Sequence, residues 1–198
     1  LLALNLSLAF SSMEKRVLLL GADLRNPQLH SHFEIDKNTL GLVDYLTDPK
    51  MKFHNCLQEG FGKSDNLRVC FSGPIPPNAP VLLSGKRFTQ FMEIAKKEFD
   101  YIIIDTSPTI LVTDTLLISK YADLSLYVLR AGFTDKKLLD YSKRLKSDKK
   151  LQKMAYVLNG VGQGSSHDYN YGYGYGYKAK KEHKAWYRIR KKPIKENI

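Results

Sequence analysis

The chain predicts a mostly parallel, doubly wound α/β sheet, and three observations carry the prediction. Val17-Leu-Leu-Leu20 and Tyr101-Ile-Ile-Ile-Asp105 are short, almost purely apolar runs, the signature of strands buried on both faces. Segments with apolar residues at helical spacing alternate with such runs, and that alternation calls for crossover connections and parallel pairing. Two runs end in a carboxylate and a loop, at Asp23 and Asp105. Ligands of open α/β sheets gather beyond the carboxyl ends of the strands, so these two residues are expected at the mouth of one crevice. Asp105 there suits a magnesium nucleotide; an aspartate that merely starts a turn fits the stretch equally well.

The elements follow in order. Leu1 to about Met13 is dense in Leu and Ala without Gly or Pro, which reads as a helix buried on most sides. Val17-Leu-Leu-Leu20 is a strand that Gly21-Ala-Asp23 terminates, with Arg25 and Pro27 in the loop beyond. Gly41-Leu-Val-Asp-Tyr-Leu46 is a short helix stopped by the turn chemistry of Thr47-Asp-Pro-Lys50. Residues 51–66 carry little pattern. Leu67-Arg-Val-Cys-Phe71 is a strand ending at Ser72-Gly-Pro, followed by the Pro-rich loop 74–80. From Val81 to Phe99, Leu82, Leu83, Phe88, Phe91, Met92 and Ile94-Ala95 recur at helical spacing, the clearest amphipathic helix in the chain. Asp114 to Tyr121 is a helix, Leu124 to Leu129 a strand, Asp135 to about Lys149 a charged amphipathic helix, and Met154 to Asn159 the last strand.

Composition changes sharply after Gly160, reaching Tyr169-Asn-Tyr-Gly-Tyr-Gly-Tyr-Gly-Tyr177. Alternating Gly offers nothing to pack, so an extended, disordered tail is expected rather than a strand. A domain over residues 1–162 and a Tyr/Gly-rich, basic tail over 163–198 is the resulting organisation. The net charge of +11 is concentrated there: nine Lys/Arg from Lys178 onward face only Glu182 and Glu196, a local +7 that leaves +4 for the rest. Such a tail is an electrostatic footprint for anionic lipid or nucleic acid, and equally a solvated end.

The 198 residues, 43% hydrophobic and 26% charged, suffice for one substantial core. No apolar segment approaches the roughly 18 residues of a membrane helix, because Asn5 and Ser7 interrupt the first candidate. The chain opens without Met, inside an apolar segment, and reads as a fragment. Two cysteines, Cys56 and Cys70, fit a reducing compartment and argue against a disulfide framework or zinc cluster. His30 and His32 lie near Glu34, a metal pattern outweighed by the plainer reading of solvated loop residues.

Taken in order, the motifs resemble the bacterial tyrosine kinases that drive exopolysaccharide and capsule export, also called polysaccharide co-polymerase autokinases. Val17-Leu-Leu-Leu-Gly-Ala-Asp-Leu-Arg-Asn-Pro27 is similar to the family's Walker A′ motif, and Gly41 to Leu46 to the segment that follows it. Asn78-Ala-Pro-Val-Leu-Leu-Ser-Gly-Lys-Arg-Phe88 resembles the next signature, Tyr101-Ile-Ile-Ile-Asp-Thr-Ser-Pro108 resembles Walker B, and the terminal tyrosines complete the pattern. The resemblance implies a P-loop NTPase fold, a Rossmann-like three-layer α/β/α sandwich related to partitioning and division-site ATPases. It implies a homo-oligomeric ring in which one subunit transfers phosphate from Mg-ATP to the tyrosine tail of its neighbour.

By the same resemblance, Asp105 binds Mg2+ directly or through water, and Asp23 assists or helps to deprotonate the incoming tyrosine. Arg25 and Asn159 are candidate nucleotide contacts, with a surface arginine and a strand-end turn former as their plainer readings. Tyr169, Tyr171, Tyr173, Tyr175 and Tyr177 are the expected acceptors. A membrane-spanning co-polymerase segment, fused upstream or separate, places the protein on the cytoplasmic side of the bacterial inner membrane. An anionic membrane surface is a further candidate partner, and nucleic acid is not expected. The alternative is a partitioning-type ATPase, or a regulatory module with decayed catalysis, that binds membrane or nucleic acid through the basic tail. Two departures bear on the expectation. Gly21 stands where the family usually carries a second acidic residue, and no Gly-x-x-x-x-Gly-Lys-Ser/Thr loop occurs. The resemblance places that loop just before Leu1, so these residues alone are expected to bind ATP poorly and to be inactive.

Overall fold

The computed structural model describes residues 1–33, 35, 39–59, 65–110, 113–151 and 153–161. The five candidate acceptor tyrosines and the basic tail lie outside that set. Among the described residues, five strands and six α-helices follow one another as α1 (Leu2–Ser12), β1 (Val17–Gly21), α2 (Leu42–Thr47), β2 (Leu67–Cys70), α3 (Ala79–Ser84), α4 (Lys86–Glu98), β3 (Tyr101–Asp105), α5 (Asp114–Ser119), β4 (Ser125–Arg130), α6 (Lys137–Ser147) and β5 (Met154–Asn159). Short 3-10 turns at Leu29–His32 and Phe53–Cys56 were not legible from hydrophobic pattern.

Every named strand pair is parallel, in the order β2-β1-β3 and, separately, β4-β5. The fold class is therefore the predicted one, with the strands divided between two sheets. β1 is central in the larger sheet and fully buried at all five positions. Its alternate side chains feed two cores: Leu18 and Leu20 join α2 and α4 through Leu42, Phe88 and Phe91. Val17 and Leu19 join Val69, Phe71 and the α1 residues Leu4, Leu8 and Phe10 on the opposite face. A period of two along one strand thus makes three layers.

Two elements differ from the pattern-based expectation. Helix α1 is mostly half-buried; its fully buried residues are Ser7 and Ser11, and Ser7 Oγ is satisfied by the Ala3 carbonyl at 2.8 Å and Ser11 Oγ by that of Leu8 at 3.0 Å. The helix leans on the sheet along one side only, with Phe10 stacked on Tyr101 at 4.2 Å. The expected helix from Val81 to Phe99 begins earlier and is split at Gly85, whose extended backbone (φ −75°, ψ 163°) ends α3 and starts α4. Pro80 sits in the first turn of α3, where its missing N–H has no helical partner to lose. Cys56 and Cys70 are buried free thiols, and burial pushes the Cys70 thiol well up, in keeping with inert packing residues.

Candidate active site

The strand order sets the place of the site. The connection leaving β1 leads to β2 on one side, whereas the chain leaving β3 departs toward α5 and β4. The crevice at the ends of β1 and β3 is therefore the point where adjacent crossovers diverge, the usual ligand position in such sheets. Gly21 pairs with Asp105 across β1 and β3, and the Ala22 N–H donates to the Asp105 carbonyl at 2.7 Å, carrying the ladder one residue further. Asp23 then turns out of the ladder beside Asp105.

Three loops hold Asp23. Its Oδ1 accepts from the Ser107 hydroxyl at 2.7 Å, the Asn26 N–H at 3.0 Å and the Arg25 N–H at 3.2 Å. The hydroxyl of Ser72, just past β2, lies 3.1 Å from the carbonyl oxygens of both Gly21 and Asp23. Ser107 is 5% exposed, and its carbonyl accepts from the Thr115 hydroxyl of α5 at 2.5 Å. Burial pushes the Asp105 carboxyl above the ordinary carboxylate range. The like charge of Asp23 adds to this, and His32 opposes it. Two carboxylates at one crevice, one of them destabilised as an anion, form a cation-seeking pair.

Arg25 does not stand free in this arrangement. Its Nε and Nη2 donate to the Asp114 carboxylate at 2.7 and 3.2 Å; Asp114 is 1% exposed, so the pair ties the β1 loop to the start of α5. Asn159 ends β5 in the other sheet, exposed, with its side-chain oxygen accepting the Gly160 N–H at 2.8 Å. Asp23, Asp105 and the Arg25 backbone are thus brought together, and Asn159 belongs to a different strand end. His30 and His32 are exposed, and no cluster of three or more potential metal ligands occurs among the described residues. Glu34 lies outside them.

Ser107, Ser72 and Asp114 are site residues that sequence pattern did not single out for these contacts. Only the positions of Ser72 and Ser107 just past strand ends, and of Asp114 at the start of α5, hinted at them. Space is tight at Gly21: a Cβ there would stand 3.1 Å from Ser72 Oγ and 3.3 Å from Leu29 Cδ2, so these side chains would have to give by a few tenths of an ångström. A cavity of about 210 Å³ is lined by Pro27, Leu29, His30, Phe71, Ser72 and Gly73 among others, and neither Asp23 nor Asp105 is among its lining residues.

No protein-family model matches the chain. The tyrosine-protein kinase YwqD of Bacillus subtilis is 35% identical over 158 residues, 80% of this chain and 65% of that protein. Among solved structures, the kinase domain of the Escherichia coli tyrosine kinase ETK superposes with a TM-score of 0.74 at 32% identity, covering 86% of this chain and 65% of that one. The chain spans just under two thirds of the length of both. The cell division ATPase MinD of Pyrococcus furiosus shares the fold, with a TM-score of 0.63 at 21% identity over 82% of this chain and 66% of that one.

Proposed function

This chain belongs to the bacterial tyrosine-kinase family, and on that premise we propose that it is the catalytic part of an ATP-dependent protein-tyrosine autokinase. The observation that carries the proposal is that Asp105, the last residue of β3, and Asp23, two residues past the end of the adjacent parallel strand β1, stand at the same edge of the sheet where the two chains diverge. The donor set fits magnesium, which takes one or two protein carboxylates and leaves its remaining positions to water and substrate phosphate. Bound Mg-ATP supplies the transferable phosphoryl group and neutralises its charge.

The chain's own residues then position. Asp105 at the end of β3 holds the metal directly or through water, and Asp23 assists it or takes the proton of the incoming tyrosine hydroxyl. Arg25, anchored on Asp114, keeps one guanidinium nitrogen for the nucleotide, and Asn159 keeps its amide NH2 for the adenine. A phosphate-cradling Gly-Lys loop is not part of the 198 residues, and the nucleotide affinity of this chain alone is correspondingly weak.

Residues 1–162 are the kinase domain and 163–198 the acceptor tail in this reading. Tyr169, Tyr171, Tyr173, Tyr175 and Tyr177 are the acceptors, presented to the crevice of a second copy within a ring; small Gly neighbours let an extended strand enter without steric conflict. Each phosphate adds roughly −1.5 to −2 charge at neutral pH, enough to offset the basic run just downstream. The protein would work at the cytoplasmic face of the inner membrane beside a membrane-spanning co-polymerase and regulate exopolysaccharide or capsule export. Among the described residues no helix is long and apolar enough to cross a membrane.

Peptide mass spectrometry of the intact gene product incubated with Mg-ATP tests the proposal. Phosphotyrosine within 169–177 is expected. Unmodified tyrosines would instead favour a regulatory module with decayed catalysis, a reading that Gly21 supports.

A further inference from the structure

The two carboxylates are not held alike. Asp105 is fixed by its place in β3, whereas Asp23 lies two residues beyond the last residue of β1 and depends on what its side chain touches. Two of its three donors, the Arg25 and Asn26 amides, belong to its own turn and would follow it if it moved. The third is different in kind. Ser107 stands 84 residues away on the loop that Asp105 begins, it is buried, and its backbone is pinned to α5 by Thr115. The backbone of the turn is already tied by the Ala22 N–H on the Asp105 carbonyl and by the Ser72 hydroxyl on the Asp23 carbonyl; among the described residues Ser107 Oγ is the contact that ties the Asp23 carboxylate itself to the segment that carries Asp105. Among the described residues the hydrogen bonds to the Asp23 carboxylate all fall on Oδ1, and Gly21 brings no second carboxylate to the crevice.

We propose that Ser107 is a positioning residue for the transfer reaction: by donating to Asp23 Oδ1 it sets the separation of the two carboxylates and turns Oδ2 into the single working oxygen of Asp23. The inference rests on the kinase reading for its catalytic consequence and on geometry alone for the contact itself.

Two measurements test it. In the intact gene product, Ser107→Ala should lower kcat for tyrosine phosphorylation roughly 10- to 100-fold while the KM for ATP stays within about twofold. Ser107→Thr, which keeps the donor, should remain near wild type. In an Asp23→Ala background the same Ser107→Ala substitution should cost little more, because the carboxylate that Ser107 positions is already gone. A full additional loss there, or equal losses for Ala and Thr, overturns the proposal. In the 198-residue chain without nucleotide, amide hydrogen exchange at Arg25 and Asn26 should quicken several-fold in Ser107→Ala while the β1 and β3 amides keep their protection. Unchanged exchange overturns the positioning role even if the wild type phosphorylates its tail. A wild type that does not phosphorylate defeats the kinase reading and leaves the exchange result to decide the contact.

Discussion

Asp105 shows how a single residue trades stability for function. Burial first, and the like charge of Asp23 after it, raise its folded pKa. A raised folded pKa means that the favourable contribution belongs to the protonated form. It is fully present below the unfolded value of about 4, and it is lost as pH rises through the elevated folded value. At neutral pH the nucleotide-free protein therefore carries a half-buried anion at a cost. Asp105→Asn is expected to raise the Tm of the nucleotide-free chain at pH 7, with the gain vanishing toward pH 4, and to abolish tail phosphorylation in the intact protein. Thermal melts of both forms across pH 4–8 check the first part. A constant Tm difference across that range would show that desolvation of the charge is not the cause. Arg25 illustrates the opposite economy: the Asp114 carboxylate keeps the guanidinium charged and occupied, so this arginine serves loop geometry first.

At the scale of elements, one side chain joins α4 to α2. Arg87 lies over the Tyr45 ring at 3.9 Å and donates to the carbonyls of Tyr45, Asp48 and Met51 at 2.9 to 3.2 Å. Those carbonyls belong to the last turn of α2 and the chain just beyond it, where helical partners run out. The other end of α2 is held by Asp44, whose Oδ2 accepts the Gly41 N–H at 2.8 Å. Gly41 admits no side chain, because a Cβ would lie 2.4 Å from the Phe71 carbonyl and 2.5 Å from the Gly73 nitrogen. Arg87→Ala should destabilise the domain by about 2 kcal/mol, since three carbonyls lose a charged donor. Arg87→Lys should recover less than half, because an ammonium cannot reproduce a planar fork that stacks and donates at once. Urea unfolding of the three proteins gives both numbers. A fully competent Lys variant would reduce the role of Arg87 to charge alone.

At the scale of the whole molecule, burial separates the sheet that carries the site from the sheet that does not. β1 is enclosed throughout, while β4 and β5 leave Leu126, Val128, Tyr156 and Leu158 39 to 58% exposed. The proposed reaction couples one copy's crevice to another copy's tail. It predicts complementation in trans: an Asp105→Asn protein with its tail should become phosphorylated when mixed with an active copy whose residues 163–198 are deleted. Phosphorylation of the first protein, read by mass spectrometry, is the expected result. Labelling that requires both features in one polypeptide would rule the ring mechanism out.

The amino-acid sequence by itself determined the strands, the helices and the two carboxylates at strand ends. These depend on local runs and periodicities, such as Val17-Leu-Leu-Leu20 followed by Asp23, which the backbone cannot satisfy in many ways. The same residues, by resemblance, also carried the family. Tertiary structure alone decided the division into two sheets, the break at Gly85, and the partners of Ser107 and Arg25. The last two contacts span 84 and 89 residues. They exist only because the register of β1 against β3 brings distant loops together, and hydroxyls and carboxylates in loops carry no periodic signal of where they will meet.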